Sequence, residues 1–299
     1  MNRKSFLRHS AFTAGGLLIA QQHLLANLWQ QPAWKIIMLD DKTGIFTERG
    51  GTILFSFTNE GIVVVDSQFP DQSKHLIDEL KKQKESPFKL LINTHHHGDH
   101  SSGNISFKDI TEHVLAHENS KANQVATAQK AKTEDKQLYP DITYTDVYRT
   151  KIGGETICLY YLGAGHTNGD SFVHFENANI VHTGDLLFNR RHPFVDRSAG
   201  ANIKSWITVM EKAQKKFSKK TKFVFGHAAD GYEVTGSMDD LKAFQNYLYK
   251  TLSLVDKEIK AGKTKEEILK ITTIPGAEEW KGDGIQRPLT AAYEELTTK

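Results

Sequence analysis

Residues 94 to 100 read Thr94-His95-His96-His97-Gly98-Asp99-His100, four imidazoles and a carboxylate placed soon after the apolar run Leu90-Leu91-Ile92. Neutral imidazole and carboxylate oxygen are ligands that Zn²⁺ accepts, and a donor set without thiolate also suits Fe or Mn. The alternation His95-x-His97-x-Asp99-His100 lets a strand that ends in a tight loop splay donors around two adjacent cations. His96 falls between two of those donors. On an extended chain successive side chains point to opposite sides, so His96 is expected to turn away from the site. A surface polyhistidine loop would use the same residue types, but the rest of the chain argues against it.

Three further apolar runs end in residues of the same kind. Cys158 to Leu162 leads into Gly165-His166-Thr167, Ile180-Val181 leads through His182 and Thr183 into Gly184-Asp185, and Phe223 to Phe225 leads into Gly226-His227. Short β-branched and aromatic runs bounded by glycine read as buried strands. Four strands therefore each deliver a candidate ligand just past the end, and the neighbouring glycines permit close backbone approach. One shared edge is implied.

This ordered set resembles the metallo-β-lactamase fold superfamily, over about residues 45 to 235. The resemblance implies a four-layer αββα sandwich of the α/β class and a metal-dependent hydrolase with a dinuclear site. It further implies that His95, His97 and His166 hold the first metal, that Asp99, His100 and His227 hold the second, and that Asp185 bridges both. Two Zn²⁺ are the expected cofactors, with Fe or Mn as alternatives. A water held between two cations is a strong nucleophile at ordinary pH, and the cations polarise the group under attack. Asp99 is expected to orient that water as well as to ligate. Asp66, at the end of Ile62-Val63-Val64-Val65, falls where family members carry a carboxylate that buttresses a metal-bound histidine. The turn Asn168-Gly169-Asp170, His174 and His182 inside apolar strand runs, and His113 and His117 flanking Val114-Leu115-Ala116 are read as structural, and Cys158 as a small core residue.

The bond that is hydrolysed is less legible. The resemblance covers ester, lactone, thioester and amide hydrolases, β-lactamases among them. Lactamases with a cysteine in the second metal site carry it near Asp185, with a substrate-binding lysine soon after; this chain has Asp185-Leu186-Leu187-Phe188 instead. Arg190 and Arg191 follow closely and are candidates to meet a substrate anion. Two other classes stay open: an iron-dependent oxidoreductase resembling the sulfur dioxygenases of this fold, and a non-catalytic metal or ligand binder. A small-molecule substrate is expected in the first two cases.

The amino terminus carries a separate message. Asn2 to Arg8 is basic and Ala11 to Ala20 is apolar and small, the pattern of a secretory signal, here twin-arginine-like or Sec-type, and too short for a membrane span. Residues 1–26 are read as that signal. The expected location is the periplasm, with no stable membrane span after its removal. The chain holds 38 Lys+Arg against 36 Asp+Glu; losing Arg3, Lys4 and Arg8 leaves 35 against 36, a net of −1. Such a balance gives no electrostatic case for nucleic acid. The single cysteine excludes an internal disulfide, so stability must come from burial.

The elements that must position the ligands follow from patterning. Residues 27–299 contain no linker-like block and are expected to form one domain, with a helical extension from about 237. Strands are expected at Trp34 to Leu39, Ile53 to Phe57, Ile62 to Val65, Val147 to Ile152, Thr156 to Leu162, Phe172 to Phe175 and on to Val181. Helices are expected through Leu76 to Leu80, over Glu118 to Lys136, and after Arg287. Ile203, Trp206, Ile207, Met210, Ala213 and Phe217 make one helical stripe, and Leu241, Phe244, Leu248, Leu252, Val255 and Ile259 another. Thr264-x-x-Glu267 resembles a capping box.

Overall fold

The computed structural model describes residues 33–298, of which Ile36 onward belongs to one compact unit. The signal read in residues 1–26 lies outside the described residues.

Seven strands form the first sheet in sequence order: β1 (Lys35–Met38), β2 (Thr43–Thr47), β3 (Ile53–Phe57), β4 (Ile62–Val65), β5 (Phe88–Asn93), β6 (Thr111–His117) and β7 (Ile142–Tyr144). β2 to β4 are antiparallel, whereas β4 to β7 run parallel. Helix α1 (Pro70–Gln83) makes the crossover from β4 to β5, starting at a proline in its first turn, where the missing N–H costs nothing. Between β5 and β6 lie the single turn α2 (Gly98–Ser101) and a 3₁₀ segment, and α3 (Glu118–Ala131) follows β6. The helix expected to reach Lys136 ends at Ala131. Lys132 adopts a left-handed conformation there and a separate 3₁₀ turn covers Glu134–Lys136.

The second sheet has the order β15-β13-β11-β10-β9-β8, built from β8 (Val147–Ile152), β9 (Glu155–Tyr160), β10 (Phe172–Phe175), β11 (Ile180–His182), β13 (Lys222–Val224) and β15 (Thr235–Gly236). Only β11 and β13 pair in parallel. A small ribbon pairs β12 (Phe188–Asn189) with β14 (His227–Ala228).

Alternation decides how the sheets stack. Val63 and Val65 of β4 and Leu90 and Ile92 of β5 enter a core shared with Ile157, Leu159, Val173 and Phe175 of the second sheet. Val64 and Leu91, pointing the other way, are buried on the outer face. The second sheet's outer side, through Cys158, Tyr160, Phe172 and Phe223, shares another core with α4 (Ile203–Lys216), α5 (Met238–Lys260) and α7 (Gln286–Thr297). α4 and α5 bury the predicted stripes, around Trp206 and Phe244. The short helix α6 (Lys265–Ile268) opens with the predicted Thr264/Glu267 capping box. The result is the expected αββα sandwich, and the helices after residue 237 belong to its outer core.

Candidate metal centre

The parallel pairs β4/β5 and β11/β13 set the position of the site, because all four strands finish at one rim. Asp66 N donates to Ile92 O there, and Thr183 N to Val224 O. From β5 the chain turns through His95, His96 and His97 into α2, which carries Asp99 and His100. His166 stands in the loop between β9 and β10, Asp185 in a 3₁₀ turn after β11, and His227 at the start of β14.

All of these side chains but His96 converge in two groups that share Asp185. In the first, His97 Nδ1 lies 2.8 Å from His166 Nε2 and 3.1 Å from His95 Nε2, while Asp185 Oδ2 lies 3.5 Å from His166 Nε2 and 4.0 Å from His95 Nε2. In the second, His227 Nε2 lies 3.1 Å from Asp99 Oδ2 and 3.4 Å from His100 Nε2, and Asp185 Oδ1 is 3.1 Å from His100 Nε2 and 3.5 Å from His227 Nε2. Four donors about 2.0–2.1 Å from a tetrahedral ion sit roughly 3.3 Å apart. Both groups have edges of that size.

Hydrogen bonds at the far ring nitrogens decide which atoms face inward. His166 Nδ1 donates to the Phe194 carbonyl at 2.8 Å, and His97 Nε2 donates to Asp196 Oδ2 at 2.9 Å. Thr94 Oγ1 donates to Asp66 Oδ2, leaving a lone pair for His95 Nδ1–H at 3.1 Å. Each ring therefore turns an unprotonated nitrogen toward the same point. Burial, and then the neighbouring imidazoles, pushes His95 well below its ordinary pKa; burial takes His166 down to about 3 despite Asp185. Lone pairs this close repel unless a cation lies among them, so the donor set fits a metal.

The second group is more acidic. Burial opposes ionisation of Asp185, but His227 and His100 hold it well below the usual carboxylate range; its Oδ1 is buried without a hydrogen bond of acceptable geometry. Burial likewise opposes ionisation of Asp99, yet its bond to His227 and the charge of His100 bring it to about 2. For His100 burial is outweighed by Asp185 and Asp66, which draw positive charge onto the ring. This half of the site asks for a cation too.

Asp66 is fully buried and accepts three hydrogen bonds, from Thr94 N at 2.7 Å, Thr94 Oγ1 at 2.8 Å and His100 Nδ1 at 2.7 Å. His96 does not join either group, though it does not leave the neighbourhood: its ring packs 4.4 Å from that of His97, and its Nε2 stands 3.6 Å from Asp196 Oδ2. Arg191 and Arg190 part company. Arg191 lines a cavity of about 340 Å³ over the metal-ligand candidates, together with Phe188, His192, Phe194 and Arg287. Arg190, expected to accompany it, is instead turned aside at a φ of 57°, bound to Asp240 Oδ1 at 3.1 Å and laid over the Trp280 ring. Its charge is already neutralised.

A family model described as "Metallo-beta-lactamase superfamily" matches residues 47–254. The chain belongs to the metallo-β-lactamase superfamily. It is 27% identical over 191 residues to the metallo-β-lactamase IND-1 of Chryseobacterium indologenes, covering 62% of this chain and 75% of the relative. A probable hydroxyacylglutathione hydrolase of Schizosaccharomyces pombe is 29% identical over 110 residues, 36% of this chain and 37% of its own. Among solved structures, a metallo-β-lactamase from Pontibacter korlensis aligns with a TM-score of 0.61 at 22% identity, over 72% of this chain and 99% of its own. The sec-alkylsulfatase Pisa1 from Pseudomonas sp. aligns with a TM-score of 0.71 at 13% identity, over 88% of this chain and 50% of its own. The chain is thus a metal-dependent hydrolase of the metallo-β-lactamase superfamily.

Several residues of this superfamily member's site escape a sequence reading. Asp196 accepts from His97, Ser198 Oγ and Ala199 N, and is held well below the usual carboxylate range: burial opposes this, but the bonds from His97 and Ser198 prevail. Arg287 enters the cavity from the start of α7. Asp170, read as a turn residue, is buried and accepts from Thr167 N and Oγ1, tying down the loop behind His166. His182 donates to Thr52 O and accepts from Gly184 N, which sets the turn carrying Asp185.

Proposed function

We propose that the protein is an exported hydrolase that holds two Zn²⁺ and cleaves an ester, lactone, thioester or amide bond in a small substrate carrying negative charge. His95, His97 and His166 would hold one ion, Asp99, His100 and His227 the other, and Asp185 both. The observation that carries this reading is Asp185, whose two oxygens each face a different group of imidazoles. When bound, the ions supply a water activated at neutral pH and Lewis-acid polarisation of the scissile group.

The chain's own residues do the rest. Asp99, ionised and about one-third exposed beside the cavity, is placed to accept a proton from the attacking water and aim it. Arg191 and Arg287 give the cavity two positive charges, which favours a carboxylate or similar group on the substrate. Phe188 and Phe194 line its walls with apolar surface and limit water around the reacting bond. The β-lactamase and hydroxyacylglutathione hydrolase names among its relatives place lactams and thioesters on the list of bonds to be tried. Export rests on the basic and apolar amino-terminal segment.

The test is to recover the protein from the periplasm, read its amino terminus by mass spectrometry, quantify its metals, and assay lactams, lactones, thioesters and phosphoesters. We expect an amino terminus near residue 27, two zinc per chain, and turnover of at least one carboxyl derivative. Stoichiometric iron with oxygen uptake would overturn the hydrolytic reading.

A further inference from the structure

His192 lines the same cavity as the ligand candidates, yet no part of the metal chemistry above uses it. The ring is buried, at 4% exposure. Its Nδ1 meets the Tyr247 hydroxyl at 2.8 Å, and its Nε2 has no hydrogen-bond partner among the described residues and is not sealed from solvent. Tyr247 is packed in the core: it is fully buried in α5, its ring stacked 4.7 Å from Trp280 and 6.0 Å from Phe244. One imidazole nitrogen is therefore hydrogen-bonded to a packed core side chain and the other is left open beside the cavity.

We propose that Tyr247 donates its hydroxyl proton to His192 Nδ1, so that His192 presents an Nε2–H to the cavity as a hydrogen-bond donor to the oxygen that gains charge during hydrolysis. The inference rests on the hydrolytic reading above. Burial keeps the Tyr247 hydroxyl protonated, and burial keeps the His192 ring neutral. A neutral imidazole aimed in advance stabilises developing negative charge without giving up its proton, and it does so from a site with little water to reorganise. His192 is then a catalytic residue and Tyr247 a positioning residue acting through it. No proton is transferred, so the ring returns to its starting state after each turnover.

The experiment combines kinetics with a direct reading of the tautomer. In zinc-loaded protein labelled with ¹⁵N-histidine, His192 is assigned by its loss in His192→Ala and examined with and without sodium acetate, whose carboxylate mimics a product oxygen. We expect the Nε2–H tautomer, an Nε2 signal that moves on adding acetate, and a change of tautomer balance in Tyr247→Phe. With the substrate turned over best in the panel, His192→Ala should lower kcat by roughly 10²-fold with zinc content and KM little changed. His192→Gln, which restores an N–H of similar reach, should recover part of that loss. A His192 ring protonated at Nδ1, a kcat in His192→Ala within about twofold of the parent, or zinc lost in both variants would overturn the proposal. If the parent hydrolyses nothing, the hydrolytic reading fails, and the tautomer and its response to acetate still decide the orientation of His192.

Discussion

Asp196 and the carbonyl of Phe194 do for His97 and His166 what Asp66 does for His100. Each accepts the outward ring N–H, so that on His97 and His166 the inward nitrogen keeps its lone pair, and on His100 the inward nitrogen is the one where a metal would take the place of a proton. Such partners set both tautomer and direction, and losing one costs about 10–100-fold in metal affinity. An asparagine at 196 keeps the shape but gives up the negative charge opposite the His97 N–H. Asp196→Asn is therefore expected to weaken zinc binding by roughly 10-fold or more. His96 stands 3.6 Å from the same carboxylate, beyond hydrogen-bond reach, so His96→Ala should leave zinc affinity unchanged. Chelator competition on both variants checks the pair, and metal loss in His96→Ala would mean that the loop's donors are wrongly divided.

At the scale of elements, the four strands that lead to candidate ligands are legible because each apolar run is buried and short and a candidate ligand follows within a few residues, whereas β2, β6 and β7 are not among the strands expected from the pattern. Local sequence carries both signals. Arg287 and His192 are not legible in this way, because the stripe of α5 says which face is buried but not which residues elsewhere in the chain the packing brings to the cavity. Asp196 lies in an irregular stretch after Arg191, where the hydrophobic pattern gives no register. For the same reason Arg190 and Arg191 look equivalent in the chain, while in the fold one is neutralised by Asp240 and the other faces the cavity. The glycine expectation sharpens to particular contacts. A Cβ on Gly226 would fall inside contact distance of Asp185 Oδ1, and one on Gly51 would strike the His100 ring. Both glycines sit on backbone hydrogen-bonded at the rim of their own sheet, Gly226 N to Gly184 O in the second and Gly51 N to Asp99 O in the first. Gly226→Ala should therefore displace Asp185 and lower stability by about 1–3 kcal/mol, as overpacking does. The measurement is bound metal alongside a denaturation curve; an unchanged metal content would show that the turn yields without moving the carboxylate.

On the scale of the whole molecule, the two groups of candidate ligands would act as cross-links once metal is bound. His95, His97, Asp99 and His100 hang from the first sheet's half, whereas His166, Asp185 and His227 hang from the second's, so each group draws donors from both. Among the described residues no helix is long and apolar enough to cross a membrane, and with one cysteine there is no internal disulfide to brace the sandwich. The sheets are joined by the core between them and by hydrogen bonds at the rim, such as Thr52 N to Gly226 O and His182 Nε2 to Thr52 O, and bound ions would add to these. Ions that bind only the folded chain stabilise it by mass action, about 2.7 kcal/mol for each site at a free metal concentration one hundred times Kd. In a domain of this size each kcal/mol is worth roughly 2–4 °C. Removing both ions with a chelator should lower Tm by about 10 °C or more. Because the cross-links span both halves, calorimetry should show a single transition that moves as a whole and returns when zinc is restored. A Tm that ignores the chelator would mean that the rim is rigid without metal, and a split transition would mean that the two halves fold independently of the ligands they share.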